Sequence, residues 1–224
     1  MARRQSRILW ALVCGCLAFA PSIPAAAQQS PREGVDYRLI PPQPAATGNK
    51  IEVIEFFWYG CPFCNELEPA LEKWLKNKPA DVEFRLIPAI LHDNWAPHAR
   101  IYYTLVALGE LQRLHAQVYY GYHVEQLYMS KPDVMEKWAV DHGIDREKWL
   151  AAYNSPEVAA QVEQAKQLRV QYNVNATPSL IVDGRYLTSG GMVNELPDLL
   201  PIVDGLIRKA RDERAARAVR AAQK

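Results

Sequence analysis

Cysteine is scarce in this chain, with four in 224 residues. Cys14 and Cys16 lie in the apolar N-terminal stretch, so Cys61 and Cys64 are the only cysteines in the remainder. Exported proteins held by disulfides usually carry several of them. A Cys-x-x-Cys pair also closes a loop too short to remove much entropy from the unfolded chain. The scarcity therefore argues against a disulfide scaffold and favours chemistry at Cys61 and Cys64.

A strong excess of charge is also missing, since 26 Lys and Arg residues face 25 Asp and Glu residues. A balanced chain has no long-range field to attract nucleic acid or an acidic membrane surface. The basic run over 208–220 is interleaved with Asp212 and Glu213 and is typical of a solvated helical end. We therefore expect no nucleic-acid partner.

Long apolar runs are absent beyond the N-terminus. The apolar stretch 8–20 follows arginines at positions 3, 4 and 7 and precedes Ala25-Ala26-Ala27. This pattern predicts a cleaved secretory signal peptide over residues 1–27. Pro21 and Pro24 shorten the apolar run, which disfavours a membrane span. An uncleaved anchor and lipid attachment at Cys16 remain open as alternatives.

The hydrophobic pattern predicts a mixed α/β chain. The apolar run over 51–58 predicts a central strand buried on both faces. Apolar residues at every fourth position predict a helix over 62–76, and alternation predicts a strand over 82–87. Strands return over 179–182 and 185–187, joined by the hairpin signal Asp183-Gly184. The other predicted elements are an edge strand within 35–40, helices over 96–108, 110–121, 132–140 (with Ser130 as a possible cap), 145–153 and 155–170, and a last helix from 193 that becomes regular near 202.

These elements place strands at both ends of a block of helices. The early and late strands must share one sheet, because separate sheets would leave apolar faces and edges exposed. We therefore expect a discontinuous α/β domain formed by 28–91 and 173–224, with an inserted helical domain over 92–172.

The sequence Cys61-Pro62-Phe63-Cys64 follows the apolar strand directly. Residues three apart in a helix are neighbours, so the two sulfurs can close and reopen a disulfide. Pro62 suits the first helical turn, and Cys61 at the helix N-terminus is favoured as a thiolate. We predict Cys61, at an exposed helix start, as the nucleophile and the more buried Cys64 as the resolving thiol. A zinc site would need two further ligands, for which no spacing is present.

The chain resembles the DsbA family of exported thiol oxidases, within the thioredoxin superfamily. The resemblance is carried by Glu55-Phe56-Phe57, the Cys61-Pro62-Phe63-Cys64 motif, the helical block, and Thr177-Pro178 ahead of the Asp-Gly hairpin. It implies an α/β thioredoxin-like fold with an inserted all-helical domain.

Two residues outside the dithiol take their expected roles from this resemblance. Pro178 resembles the cis-proline that faces the dithiol, and Thr177 before it would offer its backbone to an extended substrate. An ordinary trans proline at a strand start is the alternative. Glu55 resembles the buried acid beneath the dithiol, where it could exchange a proton with Cys64 and have a raised pKa. The alternative places Glu55 at a sheet edge in solvent.

Aromatic residues surround the motif in the sequence. Tyr59 and Phe63, with Trp58, would form an exposed apolar rim for unfolded polypeptides, although packing explains Trp58 equally well. Loop or capping roles are favoured over catalysis for His92 and His98. Other positive charges that could act on the dithiol are Arg85 and Arg100, whose distance from Cys61 the sequence does not give.

The chain departs from the family at one position, because the usual motif is Cys-Pro-His-Cys. Phe63 can neither carry positive charge nor donate a hydrogen bond to the thiolate. We therefore expect a higher pKa for Cys61 than in the histidine form, and a reduction potential that is intermediate but still oxidising.

The resemblance implies a periplasmic thiol:disulfide oxidoreductase that donates the Cys61–Cys64 disulfide to reduced secreted polypeptides. A quinone-linked membrane partner of the DsbB type would reoxidise it, and no organic cofactor or metal is needed. The segment 28–50 is too short for the dimerisation domain of periplasmic isomerases, so a monomer is expected. The alternatives are a reductase or isomerase of the same fold, or a non-catalytic peptide-binding module.

Overall fold

The computed structural model describes residues 30–44 and 47–223. The predicted signal peptide, with Cys14 and Cys16, lies outside the described residues. Within these residues, five strands form one sheet in the order β1-β5-β4-β2-β3. Their bounds are β1 Arg38–Leu39, β2 Ile51–Phe57, β3 Val82–Pro88, β4 Ser179–Val182 and β5 Tyr186–Ser189. The early and late strands share this sheet, as predicted.

Strand β2 lies inside the sheet and all seven of its residues are buried. It pairs parallel with β3 and antiparallel with β4, so both of its edges are satisfied. A strand covered on both faces and both edges needs the continuous apolar run seen in the sequence. The prediction of a central strand is confirmed, and three residues separate its end at Phe57 from the dithiol motif, which begins at Cys61.

Seven helices are present in the part of the chain that the structure describes. They are α1 Pro62–Asn77, α2 Ala96–Ala107, α3 Leu111–His123, α4 Pro132–Asp141, α5 Arg146–Tyr153, α6 Pro156–Gln171 and α7 Leu199–Ala222. Each lies within a few residues of its predicted range. Helices α2 to α6 follow β3 and precede β4, which is the block expected between the strands. Within the described residues, no helix is both long and apolar enough to span a membrane.

Two details of the helix predictions are wrong. Lys131, not Ser130, is the N-cap of α4, and it makes no side-chain capping bond. Helix α7 begins at Leu199, earlier than expected, after a 3-10 turn over Leu196–Asp198. Pro201 does not delay the helix because it lies in the first turn, where a missing N–H leaves no hydrogen bond unmade.

The Asp183-Gly184 hairpin and the N-terminal edge strand form as predicted, although the edge strand has only two residues and β5 is shifted to Tyr186–Ser189. Asp183 and Gly184 both have positive φ, 54° and 62°, as a type I′ turn requires. A Cβ on Gly184 would lie 2.4 Å from the backbone oxygen of Gln43, so the turn also needs glycine for space. Strand β1 pairs antiparallel with β5 and forms that edge of the sheet.

The buried residues form three clusters. One lies between the sheet and helices α1 and α7, and another between the opposite sheet face and helices α2 and α6. The third joins Phe57, at the end of β2, to residues of α2, α3, α4 and α5, and it includes Cys61 and Cys64. The dithiol therefore lies where the core of the helical block meets the end of the central strand.

Candidate active site

The dithiol occupies the first turn of α1. Cys61 is the N-cap residue, with extended φ and ψ of −85° and 116°, and Pro62 takes the first helical position. The backbone N–H of Cys64 points at Cys61 Sγ, 3.4 Å away, while Cys61 N donates to Trp58 O at 2.9 Å. Both cysteines are free thiols. The strand-to-helix turn thus presents one sulfur to the unpaired N–H groups of a helix start.

The surroundings of Cys61 lower its pKa to about 6. The largest cause is the hydrogen bond from the Cys64 thiol, and burial opposes it. The Thr177 side chain and the backbone N–H groups of Cys64 and Phe63 lower the pKa further. The Thr177 carbonyl favours a higher pKa for Cys61, because it accepts a hydrogen bond from the protonated thiol at 3.4 Å. A thiolate would lose that hydrogen bond. The hydrogen-bond donors to Cys61 Sγ outweigh burial and the Thr177 carbonyl, so the pKa of Cys61 is lowered, as expected at a helix N-terminus.

Cys61 is less accessible than predicted. Only 5% of its surface is exposed, against 1% for Cys64, so the expectation of an exposed nucleophile is wrong. The loop of Thr177 lies against the sulfur, and the helical block covers the other side. The two thiols therefore differ in their ionisation far more than in their burial.

Burial raises the pKa of Cys64 well above its ordinary value, and its hydrogen bond to Cys61 and the charge of Glu55 add to the effect. Glu55 is 1% exposed and pairs in register with Leu86 on β3 and Leu180 on β4. The sheet-edge alternative for Glu55 is therefore excluded. Burial is the main cause that raises the pKa of Glu55 well above its usual range, and the charges of Glu68 and Cys61 raise it further. The raised pKa that was predicted for Glu55 is confirmed in direction.

Pro178 follows a cis peptide bond from Thr177, and this loop faces the dithiol. The Pro178 carbonyl accepts from Gly190 N at 3.1 Å, which ties the loop to the segment after β5. Thr177 O lies 3.4 Å from Cys61 Sγ. The backbone that would meet a substrate therefore lies beside the sulfur, as the sequence predicted.

An open groove of about 350 Å³ runs beside this loop. Phe63 forms part of its wall and is 56% exposed, which confirms it as an apolar rim residue. Glu66 from α1 and Asn194 place polar groups in the same wall. The remaining lining residues are Ala176, Thr177, Gly190, Gly191 and Leu196.

The prediction that Tyr59 belongs to the exposed rim is wrong. Tyr59 is 1% exposed because its ring is enclosed by the aromatic cluster of the helical block, 5.1 Å from the Phe57 ring and 5.0 Å from the Tyr119 ring. Its hydroxyl lies 2.7 Å from His115 Nδ1, and its carbonyl 2.8 Å from His123 Nε2. Tyr59 therefore connects the dithiol loop to α3 and cannot meet a substrate.

The remaining side chains considered from the sequence lie outside the dithiol's immediate contacts. His98 is 3% exposed and stacks on Trp58, which in turn stacks on Trp95 with ring centroids 3.9 Å apart. His92 packs edge-on against Trp95. The two arginines have their own partners, since Arg85 pairs with Glu52 at 2.7 Å and Arg100 donates to Tyr153 O at 2.8 Å.

Two residues near the dithiol were missed from the sequence. Glu68 lies one helical turn after Cys64, and burial, followed by the charge of Glu72, raises its pKa to about 7. Its position four residues after Cys64 was a usable signal, since such residues share a helix face. His115 is 8% exposed and its Nε2 lies 3.7 Å from Glu68 Oε1. No sequence pattern links His115 to the motif, because only the packing of α3 brings them together.

These groups support one kind of chemistry. A thiol with a lowered pKa beside a buried thiol with a raised pKa can attack a disulfide, form a mixed disulfide and resolve it. Together with a mixed sheet that carries the cis-proline loop, this defines a thiol:disulfide oxidoreductase of the thioredoxin superfamily.

Comparison with known proteins narrows the class. The family model described as "DSBA-like thioredoxin domain" matches residues 52–199. The thiol:disulfide interchange protein DsbA of Burkholderia cepacia is 32% identical over 88% of this chain and 94% of the relative. The protein of that name from Pseudomonas aeruginosa is 36% identical over 80% of this chain and 85% of the relative. The crystal structure of Pseudomonas aeruginosa DsbA superposes with a TM-score of 0.76 at 34% identity, covering 85% of this chain and 96% of that one. The chain belongs to the DsbA-like thioredoxin domain family.

Proposed function

We propose that this protein is an exported, periplasmic oxidase that donates its Cys61–Cys64 disulfide to reduced secreted polypeptides. The observation that carries the proposal is the lowered pKa of Cys61, about 6, beside a buried Cys64 whose pKa is raised. An ionised Cys61 stabilises the reduced enzyme, so transfer of the disulfide to a substrate is favourable. Relatives named thiol:disulfide interchange protein support the same assignment.

The proposed reaction begins with a substrate thiolate attacking Cys61 Sγ of the oxidised enzyme. The S–S bond breaks, and Cys64 leaves with the electron pair and takes a proton from Glu55. A second substrate thiolate then attacks the substrate sulfur bound to Cys61, and Cys61 leaves as a thiolate. The substrate loses two electrons and the dithiol gains them, so the transfer needs no other redox group. Glu55 suits this step because its raised pKa keeps a proton available beside Cys64.

The cis-proline loop and the groove would hold the substrate. Pro178 has no N–H, so the Thr177 backbone is left for an extended polypeptide. Phe63 offers exposed apolar surface beside the sulfur, which suits unfolded chains of varied sequence. The groove beside Phe63 therefore offers the apolar contacts with substrate that were expected of an aromatic rim, and the buried Tyr59 takes no part in them.

The experiment follows oxidation of a reduced, denatured protein with two cysteines by the oxidised enzyme. We expect Cys61→Ser to abolish turnover. With a disulfide-containing substrate, the Cys61 thiolate of Cys64→Ala should attack that disulfide and accumulate as a mixed disulfide, because no Cys64 thiol is present to displace the substrate. Insulin reduction and refolding of a scrambled substrate, run in parallel, measure reductase and isomerase activity. Faster reduction or reshuffling than oxidation would overturn the oxidase assignment. Binding without any turnover by the wild-type protein would favour the peptide-binding module.

A second experiment tests the substrate groove. Phe63→Ala should raise KM for an unfolded substrate severalfold, because it removes apolar contact beside the sulfur. Val170→Ala on α6 is a matched control, since Val170 is 63% exposed and does not line the groove. Equal KM values for the two variants would remove Phe63 from the substrate site.

We also propose the remaining features that the family resemblance implies. A quinone-linked membrane partner of the DsbB type reoxidises the dithiol, and membranes that contain such a partner should restore the disulfide under air. The protein is a monomer, because the segment 28–50 is too short to form the dimerisation domain of periplasmic isomerases. The thioredoxin-like domain comprises 28–91 and 173–224, with 92–172 as the helical domain. Sedimentation of the exported protein tests whether it is a monomer. Its measured mass tests whether the chain is cleaved after residue 27.

A further inference from the structure

Helix α3 contacts the loop between β2 and the dithiol at two points. His115 Nδ1 lies 2.7 Å from the Tyr59 hydroxyl, and His123 Nε2 lies 2.8 Å from the Tyr59 carbonyl. The two histidines are eight residues apart, about 80° apart around the helix axis, so both lie within one broad face of α3. One helix therefore holds both the side chain and the backbone of a residue two positions before Cys61.

The loop has little freedom apart from these bonds. The Trp58 ring is stacked on Trp95 with the ring planes 2° apart. A Cβ on Gly60 would lie 2.3 Å from the Trp58 ring, so even the smallest side chain would displace it. Cys61 N donates to Trp58 O, which carries the position of the loop directly to the first cysteine. Any shift of Tyr59 thus moves Cys61 relative to the donors at the helix start.

His115 also lies close to α1, the helix that carries Cys64. Burial lowers its pKa to about 4, so the ring is neutral at pH 7 and carries one N–H. Nδ1 of this ring shares a hydrogen bond with the Tyr59 hydroxyl in either neutral tautomer. Nε2 lies 3.7 Å from Glu68 Oε1, one turn after Cys64 on α1, and makes no hydrogen bond within the described residues. His115 therefore lies between the loop before Cys61 and the helix that carries Cys64, and its hydrogen bond is to the loop.

We propose that His115 and His123 are positioning residues of the redox site, through which the helical block sets the geometry of the dithiol. They act on Cys61 through Tyr59, whose side chain and carbonyl they hold. The hydrogen bonds that stabilise the Cys61 thiolate depend on its distance from Cys64 N, 3.4 Å in this structure. Loosening Tyr59 weakens those bonds. The inference deepens the proposed function, because it concerns the same dithiol.

Other titratable groups lie near the same cluster and are left unchanged in the Tyr59, His115 and His123 variants. They are Glu55 on β2, Glu68 and Glu72 on α1, Tyr102 on α2 and Tyr119 on α3. Tyr102 provides a matched control. It packs on Phe57 in the same aromatic cluster, but its hydroxyl donates to Leu86 O on β3 at 3.2 Å.

The experiment measures the ionisation constant of Cys61 from thiolate absorbance and the equilibrium constant with glutathione. Tyr59→Phe removes one hydroxyl and keeps the ring. We expect it to decrease the Cys61 ionisation constant about threefold or more, while Tyr102→Phe changes it less than 1.5-fold. His123→Leu should act in the same direction, and His123→Gln, whose amide can donate to the Tyr59 carbonyl, should restore at least half of the loss.

A double-mutant cycle separates positioning from general loosening. Tyr59→Phe and His115→Phe remove the two ends of one hydrogen bond, so the double variant should shift the ionisation constant no more than the larger single shift. Additive shifts, or equal effects of Tyr59→Phe and Tyr102→Phe, would overturn the proposal. Both constants are measured without a substrate protein, so failure of the oxidase assay leaves this test valid.

Discussion

The ionisation of Cys61 predicts how the reduction potential of the dithiol depends on pH. The pKa of Cys61 is about 6, against an ordinary value of 9.0, while the pKa of Cys64 is raised. Below pH 6 the reduced enzyme holds protons on both sulfurs, so reduction takes up two protons with two electrons. Above pH 6 the reduced enzyme keeps only the Cys64 proton, and reduction takes up one.

The size of the effect follows from these proton numbers. A tenfold change in equilibrium constant is about 30 mV for a two-electron couple. The potential should therefore fall by about 60 mV per pH unit below pH 6 and by about 30 mV per unit above it. At pH 7, one unit above the pKa, ionisation stabilises the reduced enzyme by about 1.4 kcal/mol, or about 30 mV, over a pair with ordinary thiols.

The assay is equilibration with glutathione of known potential from pH 5 to pH 8.5. The oxidised and reduced protein are separated after acid quenching, and the thiolate absorbance is titrated in parallel. The change in slope and the absorbance midpoint should coincide near pH 6. A slope of about 60 mV per unit that continues to pH 8.5 would refute the ionised thiolate. A potential near about −270 mV, the thioredoxin value, would refute the oxidase assignment.

Three further predictions concern single positions. Phe63→His should raise the potential by about 30 mV for each unit by which it lowers the Cys61 pKa, measured with glutathione at pH 7. Glu55 has a raised pKa in the folded state, so its contribution to stability is complete below pH 4.5 and is lost as pH rises towards the folded pKa. The free energy of unfolding of the wild type should fall by up to about 1.4 kcal/mol per pH unit because of Glu55, and Glu55→Gln should lack this fall. Urea unfolding from pH 5 to pH 8 measures the difference. Gly184→Ala should destabilise the fold by about 1–3 kcal/mol in the same assay, because positive φ and Gln43 O oppose a Cβ.

Much of the fold could be predicted from local patterns in the sequence. The apolar run before the dithiol specifies a strand buried on both faces, because a solvated face would need alternating polar residues. Asp183 and Gly184 specify the hairpin, since few residue pairs accept two positive φ angles. The Cys-x-x-Cys spacing and the strand-to-helix order place the sulfurs at a helix start. These features depend on neighbours in the chain, which is why the sequence alone reveals them.

Contacts between distant segments are what the sequence could not give. Tyr59 lies between an apolar strand and the dithiol, and nothing local distinguishes an exposed aromatic rim residue from one buried against α3. His115 and Tyr59 are 56 residues apart, and their hydrogen bond depends on which face of α3 meets the dithiol. Cys61 was expected at an exposed helix start, but the Thr177 loop covers its sulfur.

The sequence alone thus determined the chemistry of this protein, because residue types, their spacing and their order along one strand and one helix specify a redox dithiol. Tertiary structure alone decided how that dithiol is tuned. The pKa values of Cys61, Cys64 and Glu55 depend on burial and on hydrogen bonds between side chains and backbone, and part of that environment is supplied by the helical block. Desolvation and hydrogen bonding are properties of packed surfaces, and a surface exists only after the chain has folded.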